Sequence, residues 1–507
     1  MADLLLEAFQ KVEPLVLDAQ FDYPSILKVW REYDFTSQGM DRALNQKNVA
    51  LQLSFEEGPT LRRLNRETPF GVLFEMFRMN LPVDYPRAVS LLGAETVEDW
   101  LRVGLLIRDQ SKVQSPFNIR IYEGLYCFGD AGLSGYSNEN LVLGINPTAL
   151  ITATVMIRQP VESALDLCTG NGFLALLASR FAKRVVGTDI SLRCLNLARF
   201  NAAINGIQNI EWRQGSWFSP VAGEKFDLIT CNPPFVLSPE TKYVFRDANV
   251  GGEGITAQLS QSYPAYLRQN GFGVLIGNWA TKPKGDWAEP PRRWFNQKKV
   301  DVALLRGSKE DAQDYAYHWL NPHYVGRRTE LEKAVDRWLE HFREQQIEEI
   351  SFAAILIRQR DAEQHGFVTY EVSRDEARHM PCSEQMLHIF HTFDLLNNNQ
   401  DNARLLALRL VPSPSVMVEQ QMSFVDGMFQ FRQAKIYTTK GLQFEDILDA
   451  NELAYFGLFD GQRTIQEVIQ EMAAALEQPF DAVLKPGLEM AQRWLFRSYL
   501  APSEGWN

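Results

Sequence analysis

Residues for disulfide or metal chemistry are scarce in this chain. Its 507 residues include only five cysteines and seven histidines. Cys127, Cys168, Cys194, Cys231 and Cys382 fall at no paired or metal-ligand spacing, which argues against a disulfide framework and a structural zinc site. The histidines are equally scattered, so no metal is expected. Long apolar runs are missing too. No stretch reaches membrane length, and the amino terminus has neither a basic n-region nor an apolar h-region. Positive charge is also in deficit: 51 Lys and Arg stand against 63 Asp and Glu, a formal net charge of −12 with a pI near 5.3. That balance argues against a large nucleic-acid footprint, which favours a basic face, and leaves a local basic patch open. The expectation is a soluble, reducing, cytoplasmic protein with no membrane partner. Its length suits two to four domains. No internal repeat and no low-complexity tail is evident, and nothing sets an oligomeric state.

What is present is concentrated in residues 164–235. Ala164-Leu165-Asp166-Leu167-Cys168 fits a buried strand, Thr169-Gly170-Asn171-Gly172 a tight turn. A helix follows with Phe173, Leu174, Leu176, Leu177 and Phe181 on one side. Glycines at a strand-to-helix turn let a ligand approach the backbone, beside the free N–H groups of the helix terminus. A second apolar run ends on Asp189, about 20 residues past the turn, where a carboxylate takes both hydroxyls of a ribose in nucleotide-binding βαβ units. A third run, Phe226–Cys231, leads into Asn232-Pro233-Pro234-Phe235. Each piece has a plainer reading: a common glycine turn, an acid or Ser191 capping a helix, a strand-ending turn. Taken in order, each falls at the carboxyl end of an expected strand, where open α/β sheets bind ligands.

This stretch resembles the class I S-adenosylmethionine-dependent methyltransferases. Within them it is similar to the Asn-Pro-Pro-Tyr/Phe branch, which includes release-factor glutamine methyltransferases and the small-domain methyltransferase family. The likeness is specific over residues 143–255 and fades outside. It implies a Rossmann-like α/β domain with a seven-stranded, mostly parallel sheet over residues 131–365. Mainly helical, winged-helix-like domains are expected to flank it at 1–130 and 366–507. It implies S-adenosylmethionine as the cofactor. Asp166, Gly170 and Gly172 would cradle the methionine part, with Thr169 and Asn171 in the same turn and Asn232 bordering it. Asp189 would hold the ribose beside Ile190. Thr148 lies where relatives keep a loop that closes over the donor; its plainer role is a cap for the helix at Ala149. Ser216 stands where many relatives have the acid that holds the adenine amino group, and Trp217 would pack on the adenine.

The chemistry of that branch suits the residue types. An amide or aniline-like nitrogen is a poor nucleophile because its lone pair is delocalised. The Asn232 side-chain oxygen and the Pro233 carbonyl can each accept one N–H of the target, aiming the lone pair at the methyl carbon. Pro233 and Pro234 fix the local backbone, and Phe235 offers a flat face for a planar target. The implied activity is N-methylation of a planar, amide-like nitrogen in a protein, peptide or small molecule. An exocyclic base amine of RNA or DNA is the alternative, and a non-catalytic donor-binding scaffold a third. Gly251-Gly252-Glu253-Gly254 resembles an element of the release-factor enzymes, so Arg246, Gly252 and Glu253 join Phe235 as expected acceptor contacts. A flexible turn and helix start is the plainer reading there.

The flanks are read from periodicity. Leu4, Leu5, Phe9, Val12, Leu15 and Val16 recur at helical spacing, and Thr68-Pro69 opens another helix. Few basic residues accompany Thr96-Val97-Glu98-Asp99, which favours a protein-contact or substrate-clamp role for this module over a nucleic-acid grip. Residues 280–300 read as a loop or lid, and 329–346 as an amphipathic helix with a charged, solvated face. Residues 451–500 read as a small helical unit.

Overall fold

Among the described residues, eight apolar runs become eight strands of one sheet: β1 (Val161–Leu167), β2 (Ala182–Asp189), β3 (Ile210–Gln214), β4 (Phe226–Cys231), β5 (Leu267–Thr281), β6 (Val300–Asp311), β7 (Glu349–Gln359) and β8 (Phe367–Glu371). The computed structural model describes residues 17–131, 141–240, 253–296, 298–361, 365–372, 381–397 and 402–505. The periodicity read over residues 4–16, and the expected acceptor contacts Arg246 and Gly252, lie outside the described residues.

The strand order is β3-β2-β1-β4-β5-β7-β6-β8. Only β7 runs against its neighbours; every other adjacent pair is parallel. Central parallel strands are covered on both faces, so their sequences are continuous apolar runs rather than alternating ones. Leu165 and Leu167 in β1, Val185 and Val186 in β2, and Ile229 and Cys231 in β4 are all excluded from solvent. Cys231 acts here as a small apolar filler. The covering helices are α1 (Pro147–Val155), α2 (Phe173–Ala178), α3 (Leu192–Ile204), α4 (Gly254–Tyr266), α5 (Glu289–Trp294), α6 (Ala312–Leu320) and α7 (Arg328–Glu344). In α7 the buried stripe is Leu331, Ala334, Val335, Trp338 and Phe342, the spacing of one helical face.

The sheet differs from expectation in its strand count. β8 adds an eighth strand, pairing in parallel with β6 from Val302↔Phe367 to Arg306↔Glu371. The boundary drawn after residue 365 therefore falls inside the sheet domain. Five half-polar residues at a sheet edge carry little burial signal, which is why the run reads as the start of something else.

The C-terminal region is also less helical than expected. Helix α8 (Ser383–Asn397) and helices Ala450–Gly457, Ile465–Ala475 and Phe480–Phe496 accompany a three-stranded antiparallel sheet of Val416–Val425, Met428–Thr438 and Glu445–Leu448. Its hairpin turns on Asp426-Gly427, both at positive φ (50° and 82°), the two-residue turn that matches strand twist. The N-terminal region packs helices from Pro24–Glu32 to Ala94–Arg102 with a small antiparallel sheet and a hairpin of Phe117–Tyr122 and Leu125–Asp130. The Thr68 hydroxyl accepts from the Gly71 N–H at 3.1 Å with Pro69 at the first helical position, as the sequence predicts.

Candidate active site

The site is assembled at the carboxyl ends of β1, β2 and β4. β1 delivers Asp166, whose carboxylate is 1% exposed. It accepts from the Thr169 hydroxyl (2.5 Å), the Thr230 hydroxyl (2.9 Å) and the Ala175 N–H (3.1 Å). One side chain thus ties together β1, β4, the glycine turn and α2. Burial pushes Asp166 up to about 7, against the pull of those three hydrogen bonds. Asp166 underlies the turn and fixes its shape.

Gly170 (φ 54°) and Gly172 (φ 85°) both occupy the left-handed region, for different ends. A Cβ on Gly172 would stand 2.9 Å from Ala198 Cβ and 2.9 Å from Trp212 Cη2, so its bareness lets α2 begin against α3. A Cβ on Gly170 would meet nothing within 4 Å, leaving open space beside backbone that a ligand can approach.

Asp189 closes β2. One carboxylate oxygen accepts from the Gly170 N–H and the other from the Ser191 N–H, both at 2.9 Å, and its carbonyl accepts from the Gly215 N–H at 3.0 Å. The residue gathers the loops after β1, β2 and β3. Burial pushes this carboxyl upward while the amide hydrogen bonds hold it down. Beside it Ile190 is 56% exposed, an uncovered apolar side chain next to a carboxylate. On the loop after β3, Ser216 is exposed and Trp217 half-buried at φ 49°.

Two expected donor contacts have structural tasks. Asn146, rather than Thr148, caps α1: its Oδ1 accepts from the Ala149 N–H and the Thr148 hydroxyl, each at 2.8 Å. Asn171 is buried, donating from Nδ2 to the Phe128 carbonyl at 3.0 Å and accepting from the Phe173 N–H at 3.3 Å.

β4 ends at Cys231 and hands the chain to Asn232-Pro233-Pro234-Phe235. Asn232 is half-buried, and its amide makes no hydrogen bond to any described residue. Phe235 differs from expectation. It is 5% exposed, with its ring 5.7 Å from Phe352 and 6.2 Å from Trp319, so it has no open face for a planar target. The apolar run Phe235-Val236-Leu237 turns inward between β7 and α6 and anchors the motif. Glu253 also has a structural partner. Its carboxylate accepts from Arg293 Nη2 (2.5 Å) and Trp294 Nε1 (2.8 Å), which joins the start of α4 to α5 and leaves the side chain 43% exposed.

A brace that sequence reading missed lies behind the motif. Tyr315 on α6 accepts at its hydroxyl from the Leu237 N–H (3.1 Å) and from Asn278 Nδ2 of β5 (2.7 Å). Tyr315→Phe would leave both buried donors unpartnered, and a stability loss of about 1–3 kcal/mol is expected. Denaturant unfolding checks this; an unchanged midpoint would remove the brace from the structural account.

An open, mostly parallel α/β sheet with a glycine turn, a ribose-type acid and Asn-Pro-Pro at its carboxyl edge is the arrangement of a Rossmann-like ligand-binding domain. The family model of the methyltransferase small domain matches residues 146–250. A release factor glutamine methyltransferase of Aliivibrio fischeri is 36% identical over 150 residues, covering 27% of this chain and 50% of that protein. A ribosomal protein uL3 glutamine methyltransferase of Bordetella pertussis is 30% identical over 208 residues, covering 36% of this chain and 70% of the relative. With 70% of that relative covered at this identity, the chain belongs to the class I S-adenosylmethionine-dependent methyltransferases, in the family of these glutamine methyltransferases. It spans about half the length of several release-factor relatives it matches.

Proposed function

We propose that this chain methylates a planar amide nitrogen, with a glutamine side chain of a protein as the first candidate acceptor. The observation that carries this reading is Asn232: an amide with no described partner, at the end of β4, locked by Pro233-Pro234 beside the strand that ends in the glycine turn. S-adenosylmethionine fits the residues present, because Gly170 offers open backbone, Asp189 a carboxylate held against that turn and Ile190 an uncovered apolar surface. Asp189 would hold the ribose, Ile190 and Trp217 the adenine with Ser216 at its edge, and the turn from Thr169 to Gly172 the methionine part. The donor, when bound, supplies the electrophilic methyl group.

The protein's own residues then do the orienting. The Asn232 side-chain oxygen and the Pro233 carbonyl accept the two N–H groups of the acceptor amide, holding its lone pair toward the methyl carbon. Their dipoles are already placed where positive charge develops on nitrogen. Asparagine is no strong base, so the proton leaves after transfer. Phe235 contributes by anchoring the loop.

The relatives named as acting on a release factor and on ribosomal protein uL3 make those proteins the first acceptors to try. A peptide or small-molecule amide is the next, and the setting is cytoplasmic. Among the described residues, no helix is long and apolar enough to cross a membrane. The N-terminal region, read as winged-helix-like, serves as the protein contact or clamp.

The test joins calorimetry with mass spectrometry of methylated glutamine after incubation with donor and either protein. Asp189→Ala is expected to weaken donor binding by about 2 kcal/mol, from loss of charged hydrogen bonds. Unchanged donor affinity in the folded variant would sink the ribose assignment. Methylation of RNA or DNA instead, with binding that falls steeply with salt, would replace the amide reading by the base-amine one.

A further inference from the structure

Two asparagines sit where an apolar helix face has no use for them. Asn201 lies in α3 among Leu197, Ala198, Phe200 and Ile204 and is 0% exposed, and Asn205 follows the helix as its C-cap. Both side chains face the strand Leu125–Asp130 of the N-terminal region. Asn205 Oδ1 accepts from the Tyr126 N–H at 3.0 Å, and its Nδ2 donates to the Tyr126 carbonyl at 2.8 Å. Asn201 repeats the pattern at Phe128, accepting from its N–H at 2.9 Å and donating to its carbonyl at 3.0 Å. The spacing is commensurate: residues four apart on a helix rise about 6 Å, and alternate strand residues about 6.7 Å. The two amides finish the outer edge of the strand as a neighbouring strand would, while its other edge pairs with Phe117–Tyr122.

Asn201 also reaches the donor turn. Its Nδ2 donates to the main-chain carbonyl of Asn171 at 2.8 Å, and Asn171 Nδ2 donates to the same Phe128 carbonyl at 3.0 Å. That carbonyl has both lone pairs filled by the two amides. Asn171 lies between Gly170, whose N–H is held by Asp189, and Gly172. One buried knot therefore includes the N-terminal strand, α3 and the turn.

We infer that Asn201 is a positioning residue for the donor turn, and that through the Phe128 knot donor binding and docking of the N-terminal region are linked. This rests on the donor-site reading above. A donor that fixes the backbone around Gly170 and Gly172 fixes the Asn171 carbonyl, which sets the Asn201 amide and with it the hold on Phe128. Linkage is reciprocal, so an acceptor that seats the N-terminal region raises donor affinity by the same factor.

Wild-type protein with and without saturating S-adenosylmethionine is compared by amide hydrogen exchange, with calorimetry on the same sample. Absence of a calorimetric signal would refute the donor reading itself. With binding established, the Tyr126 and Phe128 amides are expected to exchange about fivefold slower, the low end of ordinary coupling, with the remote strand Val416–Val425 unchanged. Asn201→Ala, whose side chain is sealed from solvent, is expected to raise the donor Kd about tenfold. Asn205→Ala, which leaves the Phe128 knot in place, should raise it far less. The linkage is overturned if donor binds without slowing Tyr126 and Phe128, if Asn201→Ala binds like wild type, or if both variants weaken binding equally. Should Asn201→Ala fail to fold, the wild-type exchange result decides alone.

Discussion

Asn232→Ala is expected to bind S-adenosylmethionine with nearly wild-type affinity and to slow methyl transfer by about 2.7–4 kcal/mol, the size of losing one placed dipole. The split follows from the architecture. The donor-holding groups, Gly170 and Asp189, belong to the loops after β1 and β2, and Asn232 is hydrogen-bonded to neither. Its loop is fixed independently of its own side chain, by two prolines, by burial of Phe235 against Phe352 and Trp319, and by the Tyr315 hydroxyl on the Leu237 N–H. Truncation should therefore remove an acceptor for the target amide and leave the fold alone. Asn232→Asp is the sharper variant, because it keeps an oxygen acceptor in place and adds charge; partial activity is expected. Single-turnover rates with donor and acceptor saturating separate chemistry from binding. If both variants transferred methyl at the wild-type rate, Asn232-Pro233-Pro234-Phe235 would be a structural turn and the acceptor would have to be sought outside amides and base amines.

The features legible in the sequence are those written into consecutive residues. The turn from Thr169 to Gly172, Asp189 at the end of β2 and Asn232-Pro233-Pro234 after β4 each announce themselves locally, and buried parallel strands read as unbroken apolar runs. Less legible are features that depend on a partner far along the chain. Phe235 reads as a stacking face until Phe352 and Trp319 close over it. The link from Glu253 to Arg293 and Trp294 of α5 cannot be seen in the sequence around Glu253. Asn171 reads as a donor contact until the Phe128 carbonyl takes its amide. Other features do carry a local signal. Asp426-Gly427 between Val/Met/Phe-rich runs marks a hairpin, and Asn201 and Asn205, four apart on an apolar helix pattern, mark buried amides with obligatory partners.

Arg358→Ala is expected to destabilise the fold by about 3–5 kcal/mol, the cost of leaving a buried charge without its counter-ion. Asp301 on β6 and Arg358 on β7 are directly paired across the sheet, the former fully buried and the latter 7% exposed at its side chain. Arg358 donates to Asp301 Oδ2 from Nε (3.0 Å) and Nη2 (2.6 Å), and to both oxygens of Asp394 on α8 at 2.8 and 2.9 Å. The Gly366 N–H, just ahead of β8, donates to the other Asp301 oxygen at 2.7 Å. One guanidinium thus helps hold the eighth strand and α8 to the sheet. Arg360 lies 3.7 Å from Asp301 and 3.0 Å from Asp394, which compensates only in part, because no hydrogen bond joins it to Asp301. Replacing both partners, as Asp301→Leu with Arg358→Met, should cost much less than Arg358→Ala alone, since the fully buried carboxylate is then gone and Arg360 keeps Asp394 at 3.0 Å. Denaturant unfolding measures both, and equal losses would mean that packing rather than charge pairing secures this corner. β7 runs against the parallel strands, so Arg358 near its end stands at their amino edge, across the sheet from Asn232. Donor affinity measured well below the unfolding transition should accordingly remain that of the wild type.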